Sequence, residues 1–564
     1  MRIALAQINP TVGDIAYNES IIRRDIAHAK SLGASVVVFP ELAITGYPPK
    51  DLLLKPQFVE DNLSAVERIA SDVSGIEVVV GYADVNPNPV GRPLFNAAAV
   101  IRNGRVASRH FKTLLPTYDV FDESRYFEPG PMHVRNQLVD VSGVKVGLSI
   151  CEDLWNDERL IARRLYHQNP IADLDAAGAE VMFNCSASPF VEGKQKFRVE
   201  LFGAQARQFA APLVYVNQVG GNDELVFDGC SMVFDASGNV IAQAKDFEED
   251  LLVVDLPSSV LPQSGTGVSP VNPSQNINST GLDSIHKALV LGLRDYVRKC
   301  GFKSVVLGLS GGIDSALVCA IAVEALGPDK VMGVAMPSRY SSDHSIEDAK
   351  QLASNLGVEF HIVPIEPAHA SMEQMLMPVF TGRAADLTEE NVQARLRGNV
   401  LMSMSNKFGS LLLTTGNKSE VAVGYCTLYG DMCGGLAIIS DVPKTTVWAL
   451  SRRINEVAGK ELIPWRSIEK PPSAELRPNQ TDQDSLPSYE VLDAILFRLI
   501  EQDKSVREVI ADGFDPATVI RVTRLVDRSE YKRRQMAPGL KVTSRAFGVG
   551  RRMPIAQNYQ QPIP

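Results

Sequence analysis

Residues 304–326 read Ser304-Val305-Val306-Leu307-Gly308-Leu309-Ser310-Gly311-Gly312-Ile313-Asp314-Ser315-Ala316-Leu317-Val318-Cys319-Ala320-Ile321-Ala322-Val323-Glu324-Ala325-Leu326. An apolar run of strand length, 304–309, breaks at two glycines, and an Ala- and Leu-rich run of helix length, 316–326, follows. A helical stretch from 282 precedes it. Two further strands are expected at 331–336 and around 359–363, each after another helical stretch. Strand, helix, strand, helix in this order predicts a parallel, Rossmann-like sheet.

The turn itself carries chemistry. Glycines let the backbone approach a phosphate, and a helix N-terminus presents unpaired N–H groups and the positive end of a dipole. Asp314 places a carboxylate among those donors, which calls for a cation such as Mg²⁺ between it and any phosphate. The loop is not a Walker A motif, because no Lys-Ser or Lys-Thr follows a final glycine.

Composition sets the bounds. A chain of 564 residues is too long for one hydrophobic core. Its 45% hydrophobic and 22% charged residues are those of a globular protein. A net charge of −10 argues against bulk binding to nucleic acid or an anionic membrane, so phosphate must be held by local groups. The opening apolar run breaks at Asn9-Pro10, too short for a signal-peptide core. Seven cysteines form no CxxC pattern, and an odd number cannot all pair, so a reduced cytoplasm is expected.

Three segments follow. Residues 1–255 alternate β-rich runs (35–39, 76–80, 144–150, 180–184, 213–217) with helical stretches (19–32, 196–209). Asn103-Gly104 and Gly238-Asn239 read as hairpin turns. Residues 256–281, rich in Pro, Ser, Gly and Asn, read as a linker, and 282–564 as the second domain. From Ala511 the pattern loses regularity, and core signals weaken after Ala546.

In the first domain, Glu41 follows a strand in Phe39-Pro40-Glu41-Leu42. Lys112 lies in Phe111-Lys112-Thr113-Leu114, and Cys151 ends a strand in Ser149-Ile150-Cys151-Glu152-Asp153. Attack on an amide needs a thiolate, a base to form it and a cation for the oxyanion. Residue type alone leaves Cys151 a buried hydrophobe, Glu41 a helix cap and Lys112 a surface charge.

The three motifs, in this order, resemble the nitrilase family, and residues 1–255 resemble the glutaminase domain of glutamine-dependent NAD synthetases. The resemblance implies an α-β-β-α sandwich in which Cys151 is the nucleophile, Glu41 the general base and Lys112 the oxyanion stabiliser. It also implies glutamine contacts at Tyr118, Ser188 and Lys194. Glu123 is expected to support the site in a role the spacing does not fix, and Cys185 to serve packing.

Residues 310–315 resemble the signature of the ATP pyrophosphatase superfamily. Five downstream segments resemble NAD synthetases in particular: Pro337-Ser338-Arg339-Tyr340-Ser341-Ser342, Glu390-Asn391-Val392-Gln393-Ala394-Arg395, Thr415-Gly416-Asn417-Lys418-Ser419-Glu420, Tyr429-Gly430-Asp431, and Pro472-Ser473-Ala474-Glu475-Leu476 with Gln480-Thr481-Asp482. By that resemblance Gly308, Leu309, Ser310, Gly311, Gly312, Ile313, Asp314, Ser315 and Thr415 bind ATP. Asp314 and Glu420 hold Mg²⁺, and Asn391, Glu420 and Lys532 contact deamido-NAD. A homo-oligomer and a sheltered ammonia path are implied as well. Taken singly, Arg339, Arg395 and Lys444 read as solvated charges, and Lys532-Arg533-Arg534 as a solvated face.

The expected reaction is amidation of deamido-NAD to NAD with ATP and glutamine, through an adenylate. Three alternatives stay open at this level. They are an amidase with a nucleotide-sensing second domain, a binding module for NAD itself, and a ligase acting on another carboxylate. AMP and pyrophosphate production, and competition among acceptors, discriminate them.

Overall fold

The computed structural model describes residues 1–130, 138–157, 159–161, 163–256, 279–478 and 480–559. The chain forms two compact units, Met1–Ser284 and Ile285–Pro564. Of the segment read as a linker, 257–278 lies outside the described residues.

The first unit contains two six-stranded sheets. Strands β1 (Arg2–Gln7), β2 (Val36–Val38), β3 (Glu77–Val85), β4 (Leu94–Arg102) and β5 (Arg105–Phe111) form one with the late strand β14 (Asp250–Asp255), in the order β14-β1-β2-β3-β4-β5. The second comprises β6 (Leu138–Val141), β7 (Val144–Ile150), β8 (Val181–Ser186), β9 (Leu213–Asn217), β12 (Met232–Phe234) and β13 (Val240–Gln243). Its order is β13-β12-β9-β8-β7-β6. A small ribbon pairs β10 (Val219–Asn222) with β11 (Leu225–Asp228). Both expected hairpins form, β4–β5 around Asn103-Gly104 and β12–β13 around Gly238-Asn239.

The alternation of side chains along each strand builds the layers. Ile3, Leu5, Val36, Val38, Val79 and Val100 of the first sheet share one core with Val146, Leu148, Ile150, Phe183 and Val214 of the second. The intervening residues Ala4, Ala6, Val37, Val78 and Val80 face outward, into a core with Ile21, Ile22 and Ala29 of helix α1 (Ile15–Ser31) and Ala65, Val66 and Ile69 of α2 (Pro56–Asp72). On the other side Met182, Leu213 and Tyr215 pack with Ile171 and Leu174 of α3 (Pro170–Ala176) and Leu201 and Phe202 of α4 (Lys194–Phe209). The expected α-β-β-α sandwich is present. Because both faces of the strands are buried, their sequences read as continuous apolar runs, which is why periodicity alone did not give the layer order.

The second unit is built on the parallel sheet predicted from the sequence. Strands β15 (Val305–Gly308), β16 (Val331–Ala335), β17 (Glu359–Ile362), β18 (Leu411–Thr414) and β19 (Leu436–Ala437) lie in the order β17-β16-β15-β18-β19, all parallel. Helix α5 (Leu282–Lys299) leads into β15, and α6 (Ile313–Leu326), α7 (Asp343–Leu356), α8 (Glu366–Phe380) and α9 (Leu387–Phe408) follow its strands. Then come the short α10 (Lys418–Val423) and α11 (Lys444–Ala458). From β15 the chain moves outward to β16 and β17, then crosses to β18 on the other side. The loops after β15 and β18 therefore open on the crevice where the strand order reverses, the usual ligand position in such sheets.

The C-terminal region is more regular than the sequence suggests. Helix Pro516–Arg528 buries Val519, Val522 and Val526 against Leu492, Ile495 and Leu496 of helix Tyr489–Leu496. Beyond it Val542 is buried and its N–H donates to Asp441 at 2.8 Å. Polar residues on the outer face of this helix mask its apolar stripe in a linear reading. No described helix is long and apolar enough to cross a membrane.

One glycine decides how the first sheet holds its loops. A Cβ on Gly81 in β3 would stand 2.4 Å from both the Leu42 nitrogen and the Pro40 carbonyl oxygen. Both contacts are backbone, so nothing can rotate aside. Gly81→Ala is expected to lower the stability of the first unit by about 1–3 kcal/mol through overpacking. Urea denaturation checks this, and an unchanged midpoint would mean that the 39–44 turn yields freely.

Candidate active sites

At the ends of three strands the first unit assembles a buried charge cluster. β2 runs into the Phe39–Ile44 turn, anchored by Phe39 N–H donating to Val79 and Ile44 N–H to Gly81. This turn presents Glu41. β5 ends at Phe111, and the backbone N–H of the next residue, Lys112, donates to the Asn96 carbonyl on β4 at 2.8 Å. β7 ends at Ile150, and Cys151 then takes φ of +41°, a conformation strained for a non-glycine residue, opening the helical turn Cys151–Leu154.

Asp153 ties two of these loops together. Its carboxylate accepts the Ile150 N–H at 3.0 Å and the Thr113 and Leu114 N–H groups at 3.0 and 2.8 Å. Burial pushes its pKa up to about 7, against the pull of those backbone donors and of the Lys112 charge. The sequence reading gave Asp153 no role.

Lys112 and Glu41 have fully buried side chains, and Lys112 Nζ lies 2.7 Å from Glu41 Oε1. The same ammonium is 2.8 and 2.9 Å from the two oxygens of Glu123. Glu41 also accepts Asn96 Nδ2 at 2.7 Å and the Ala187 N–H at 3.1 Å, and Glu123 accepts the Tyr47 hydroxyl at 2.8 Å. Two carboxylates thus share one ammonium. Burial raises Glu123 to about 7, with the Glu41 charge adding to it and Lys112 opposing. Burial also drives the Cys151 thiol well above its ordinary value, the Glu41 charge reinforces this, and Lys112 counters it. The Cys151 thiol therefore lies within electrostatic reach of both Glu41 and Lys112.

The glutamine candidates fall around this cluster. Tyr118 is partly exposed and its hydroxyl donates to both oxygens of Glu152 at 3.0 Å; Tyr166 donates to the same carboxylate at 3.0 Å. Burial raises the Glu152 pKa, while Lys112, the two hydroxyls and the Lys194 charge oppose that rise. Lys194 sits with its ammonium 5.0 Å from the Trp155 ring centre and donates to the Pro189 carbonyl at 3.1 Å. Ser188 is buried, its Oγ accepting from Arg198, which is in turn ion-paired with Asp228 at 2.7 Å. Glu152 and Arg198 were missed in the sequence. Glu152 stands beside Cys151 in the quoted motif, whereas no sequence signal marks Arg198. Cys185 is buried in the inter-sheet core, as its reading as a packing residue expects.

In the second unit a cavity of about 240 Å³ opens at the sheet's switch point. Gly308, Leu309, Ser310 and Thr415 line it, with Thr414, Arg397 and Asp431. Gly311 adopts φ of +76°, and a Cβ there would meet the Ser345 carbonyl oxygen at 2.2 Å. Gly312 caps α6 and its N–H donates to Ser310 Oγ at 3.2 Å. Ile313 and Ser315 are buried; Ser315 Oγ donates back to the Gly312 carbonyl at 2.9 Å. Of the loop, Gly308, Leu309 and Ser310 line the cavity, whereas Gly311, Gly312, Ile313, Asp314 and Ser315 are not among its lining residues, and the Ile313 side chain is buried in the core.

Asp314 and Glu420 are brought together. Asn417 bridges them, donating through Nδ2 to Asp314 at 2.8 Å and through its N–H to Glu420 at 3.2 Å. Between the two stands Lys444, bonded to Asp314 Oδ2 and 3.6 Å from Glu420 Oε1. Its reading as a solvated charge is corrected: the Lys444 side chain is 2% exposed. Burial pushes Glu420 up to about 8, Asp314 adds to that and Lys444 opposes it. Among the described residues no group of three or more His, Cys, Asp or Glu is placed to hold a metal ion. Two hard carboxylates completed by phosphate oxygens and water are nevertheless the usual protein share of a Mg²⁺ site.

The remaining candidates scatter more. Asn391 accepts the Thr427 hydroxyl at 2.8 Å. Glu420 lines a second, smaller cleft that shares Thr414 and Asp431 with the main cavity. Lys532 donates to the Gly424 and Cys426 carbonyls at 2.7 Å each, and the next residue, Arg533, is buried against Glu530. Of the run read as a solvated face, Arg534 is exposed as read, whereas Lys532 is half-buried and Arg533 buried. Lys418 is also buried, 3.0 Å from Glu501 and 3.1 Å from Asp441. Arg339 pairs at the surface with Glu366, and Arg395 is exposed, as read. Arg397, two residues on, turns into the cavity instead.

With this geometry in hand, the relatives are informative. Residues 2–263 match the carbon-nitrogen hydrolase family model and 285–536 match the NAD synthase model. The glutamine-dependent NAD(+) synthetase of Synechocystis is 49% identical, covering 99% of both chains. That of Thermotoga maritima is 44% identical over 100% of each. Among solved structures, the enzyme of Acinetobacter baumannii in complex with ADP is 41% identical with a TM-score of 0.75, covering 100% of this chain and 99% of that one.

The shared ammonium gives a stability prediction. Glu123→Ala leaves Lys112 paired with Glu41 but takes away its other hydrogen-bond acceptor and that of the buried Tyr47 hydroxyl, and a loss of about 1–3 kcal/mol is expected. Equilibrium urea unfolding measures it. A loss under about 1 kcal/mol would show that Glu41 alone satisfies the ammonium.

Proposed function

The chain belongs to the glutamine-dependent NAD(+) synthetases, and from that premise we propose how its residues divide the work. The protein is a ligase that amidates deamido-NAD with glutamine as the amide donor. The observation that carries the assignment of residues is the pairing of two sites of different chemistry in one chain. One unit has a thiol beside a buried Glu–Lys–Glu cluster, and the other a phosphate-type loop whose Asp314 is joined to Glu420 through Asn417.

In the first site Cys151 attacks the side-chain amide of glutamine. The resting thiol is neutral, so the step needs a base, and Glu41 takes the proton as the S–C bond forms. Protonating Glu41 removes one of Lys112's two anionic partners at the moment the substrate oxygen gains negative charge. The ammonium is then free to stabilise that oxyanion, and Glu123 keeps it in place. Collapse of the intermediate expels ammonia, with the proton returned from Glu41. Water, deprotonated by the same carboxylate, hydrolyses the thioester to glutamate. Glutamine is a zwitterion at its other end. Glu152 offers a carboxylate for its α-ammonium, and Lys194 a cation for its α-carboxylate, with Tyr118 and Ser188 as polar contacts.

In the second site ATP is the co-substrate, as the family requires. The Acinetobacter baumannii relative was solved with ADP, which supports nucleotide binding in this family; its place here is assigned to Gly308–Ser315 and Thr415 from the strand–glycine–helix turn and the cavity beside it. The loop backbone and the N-terminus of α6 receive the phosphates. Asp314 and Glu420 would hold Mg²⁺, which supplies charge neutralisation for the polyphosphate and the departing pyrophosphate. Asn391, Glu420 and Lys532 position deamido-NAD so that its nicotinate carboxylate meets the α-phosphate. Ammonia from the first unit then displaces AMP. No side chain of this unit needs to become covalently attached, so positioning and electrostatics carry the step. The enzyme is expected to work in the cytoplasm, where its thiol stays reduced, and as a homo-oligomer.

The division of labour is tested by NAD formation from ATP, Mg²⁺ and deamido-NAD with either nitrogen source. Cys151→Ala is expected to lose glutamine-driven synthesis by at least about a thousandfold while keeping the ammonium-driven rate. Asp314→Asn is expected to depress both. Equal loss of both in Cys151→Ala would remove the two-site assignment.

A further inference from the structure

Lys444 stands where a divalent cation is expected, and nothing in the proposed chemistry explains that. Its Nζ is bonded to Asp314 Oδ2 and lies 3.6 Å from Glu420 Oε1. Its side chain is 2% exposed, and its ammonium is 5.3 Å from the Tyr489 ring centre. The remaining oxygens, Asp314 Oδ1 and Glu420 Oε2, are occupied by Asn417. Tyr489 is anchored in turn by donating to Asp482 at 2.7 Å. The backbone holds the lysine's origin firmly: its N–H donates to Ser419 Oγ at 2.9 Å, at the start of α11. A four-carbon stem can still swing.

Mg²⁺ binds carboxylate oxygens at about 2.1 Å and tolerates little distortion. An ammonium bonded to the same Asp314 oxygen occupies that space and repels the ion electrostatically. The two cations are therefore alternatives. On the reading that Asp314 and Glu420 hold the metal, we propose that Lys444 is the resident counter-ion of this cradle and excludes a free divalent ion, so that metal loads together with the nucleotide. Polyphosphate supplies the anionic surroundings that let the ammonium leave the carboxylates without losing a partner. The consequence for the reaction is order: the cradle without nucleotide stays neutralised by a protein group instead of by scavenged metal.

Mn²⁺ titration followed by electron paramagnetic resonance tests this on the full chain, without nucleotide. The wild type is expected to bind Mn²⁺ weakly at this cradle. Lys444→Met and Lys444→Gln are expected to bind one ion at least tenfold more tightly, and Asp314→Asn in either background to abolish the gain. Lys444→Arg, which keeps the charge, is expected to resemble wild type. Melting temperature gives a second reading: Mn²⁺ should stabilise the Met and Gln variants more than it stabilises wild type. Tight, Asp314-dependent Mn²⁺ binding by nucleotide-free wild type would overturn the exclusion while sustaining the metal assignment. If no variant shows an Asp314-dependent site, and wild type with a non-hydrolysable ATP analogue shows none either, the metal assignment itself falls.

Discussion

A single ammonium, that of Lys112, is the constraint on which the first unit depends. A buried isolated charge costs several kcal/mol, and breaking a buried pair leaves much of that cost exposed. Here the charge is shared by Glu41 and Glu123, at 2.7 and 2.8 Å, with no solvent to substitute for either. Those three side chains arrive from separate parts of the first unit, so their meeting fixes the local chain path. Gly81 admits the Glu41 turn, the Asn96 carbonyl fixes the backbone of Lys112, and Asp153 ties the Lys112 loop to the Cys151 turn. A net negative cluster then surrounds a thiol that burial already keeps protonated.

The second unit stores charge in a related way for different chemistry. Asp314 and Glu420 are joined by Asn417 and neutralised by Lys444, so neither carboxylate meets the cavity uncompensated. The contrast lies in what happens on turnover. In the mechanism proposed for the first site a proton moves to a carboxylate and frees an ammonium for an oxyanion. In that proposed for the second no proton needs to move to a protein nucleophile, and the cation between the carboxylates is exchanged. In both sites the charged side chains are paired within the protein.

Much of this was legible in the sequence, and the rest was hidden for identifiable reasons. The strand–glycine–helix run at 304–326 gave the parallel sheet, because a phosphate-type turn needs its strand before and its helix after. The motif positions of Glu41, Lys112 and Cys151 placed them at strand ends, where they are found. Lys444 was misread because a lone lysine is a surface charge by default, and its two partners lie 130 and 24 positions away in sequence. Asp153 acts through backbone contacts that no local pattern records, and Glu123, expected beside the site, has a role set by an ion pair with Lys112 that the spacing does not fix. The helix Pro516–Arg528 was missed because its apolar stripe of Val519, Val522 and Val526 is narrow and bordered by arginines.

The account of the first site rests on a neutral resting thiol that Glu41 deprotonates during attack. A preformed thiolate stabilised by Lys112 is the alternative, and the two differ in one measurable quantity. Alkylation of Cys151 by iodoacetamide, followed across pH by peptide mass in the substrate-free protein, reports the thiol's ionisation. The account predicts a rate that keeps rising through the ordinary thiol value of 9.0 without levelling off. A rate that levels off below that value would show a thiolate already present at rest, and would contradict it.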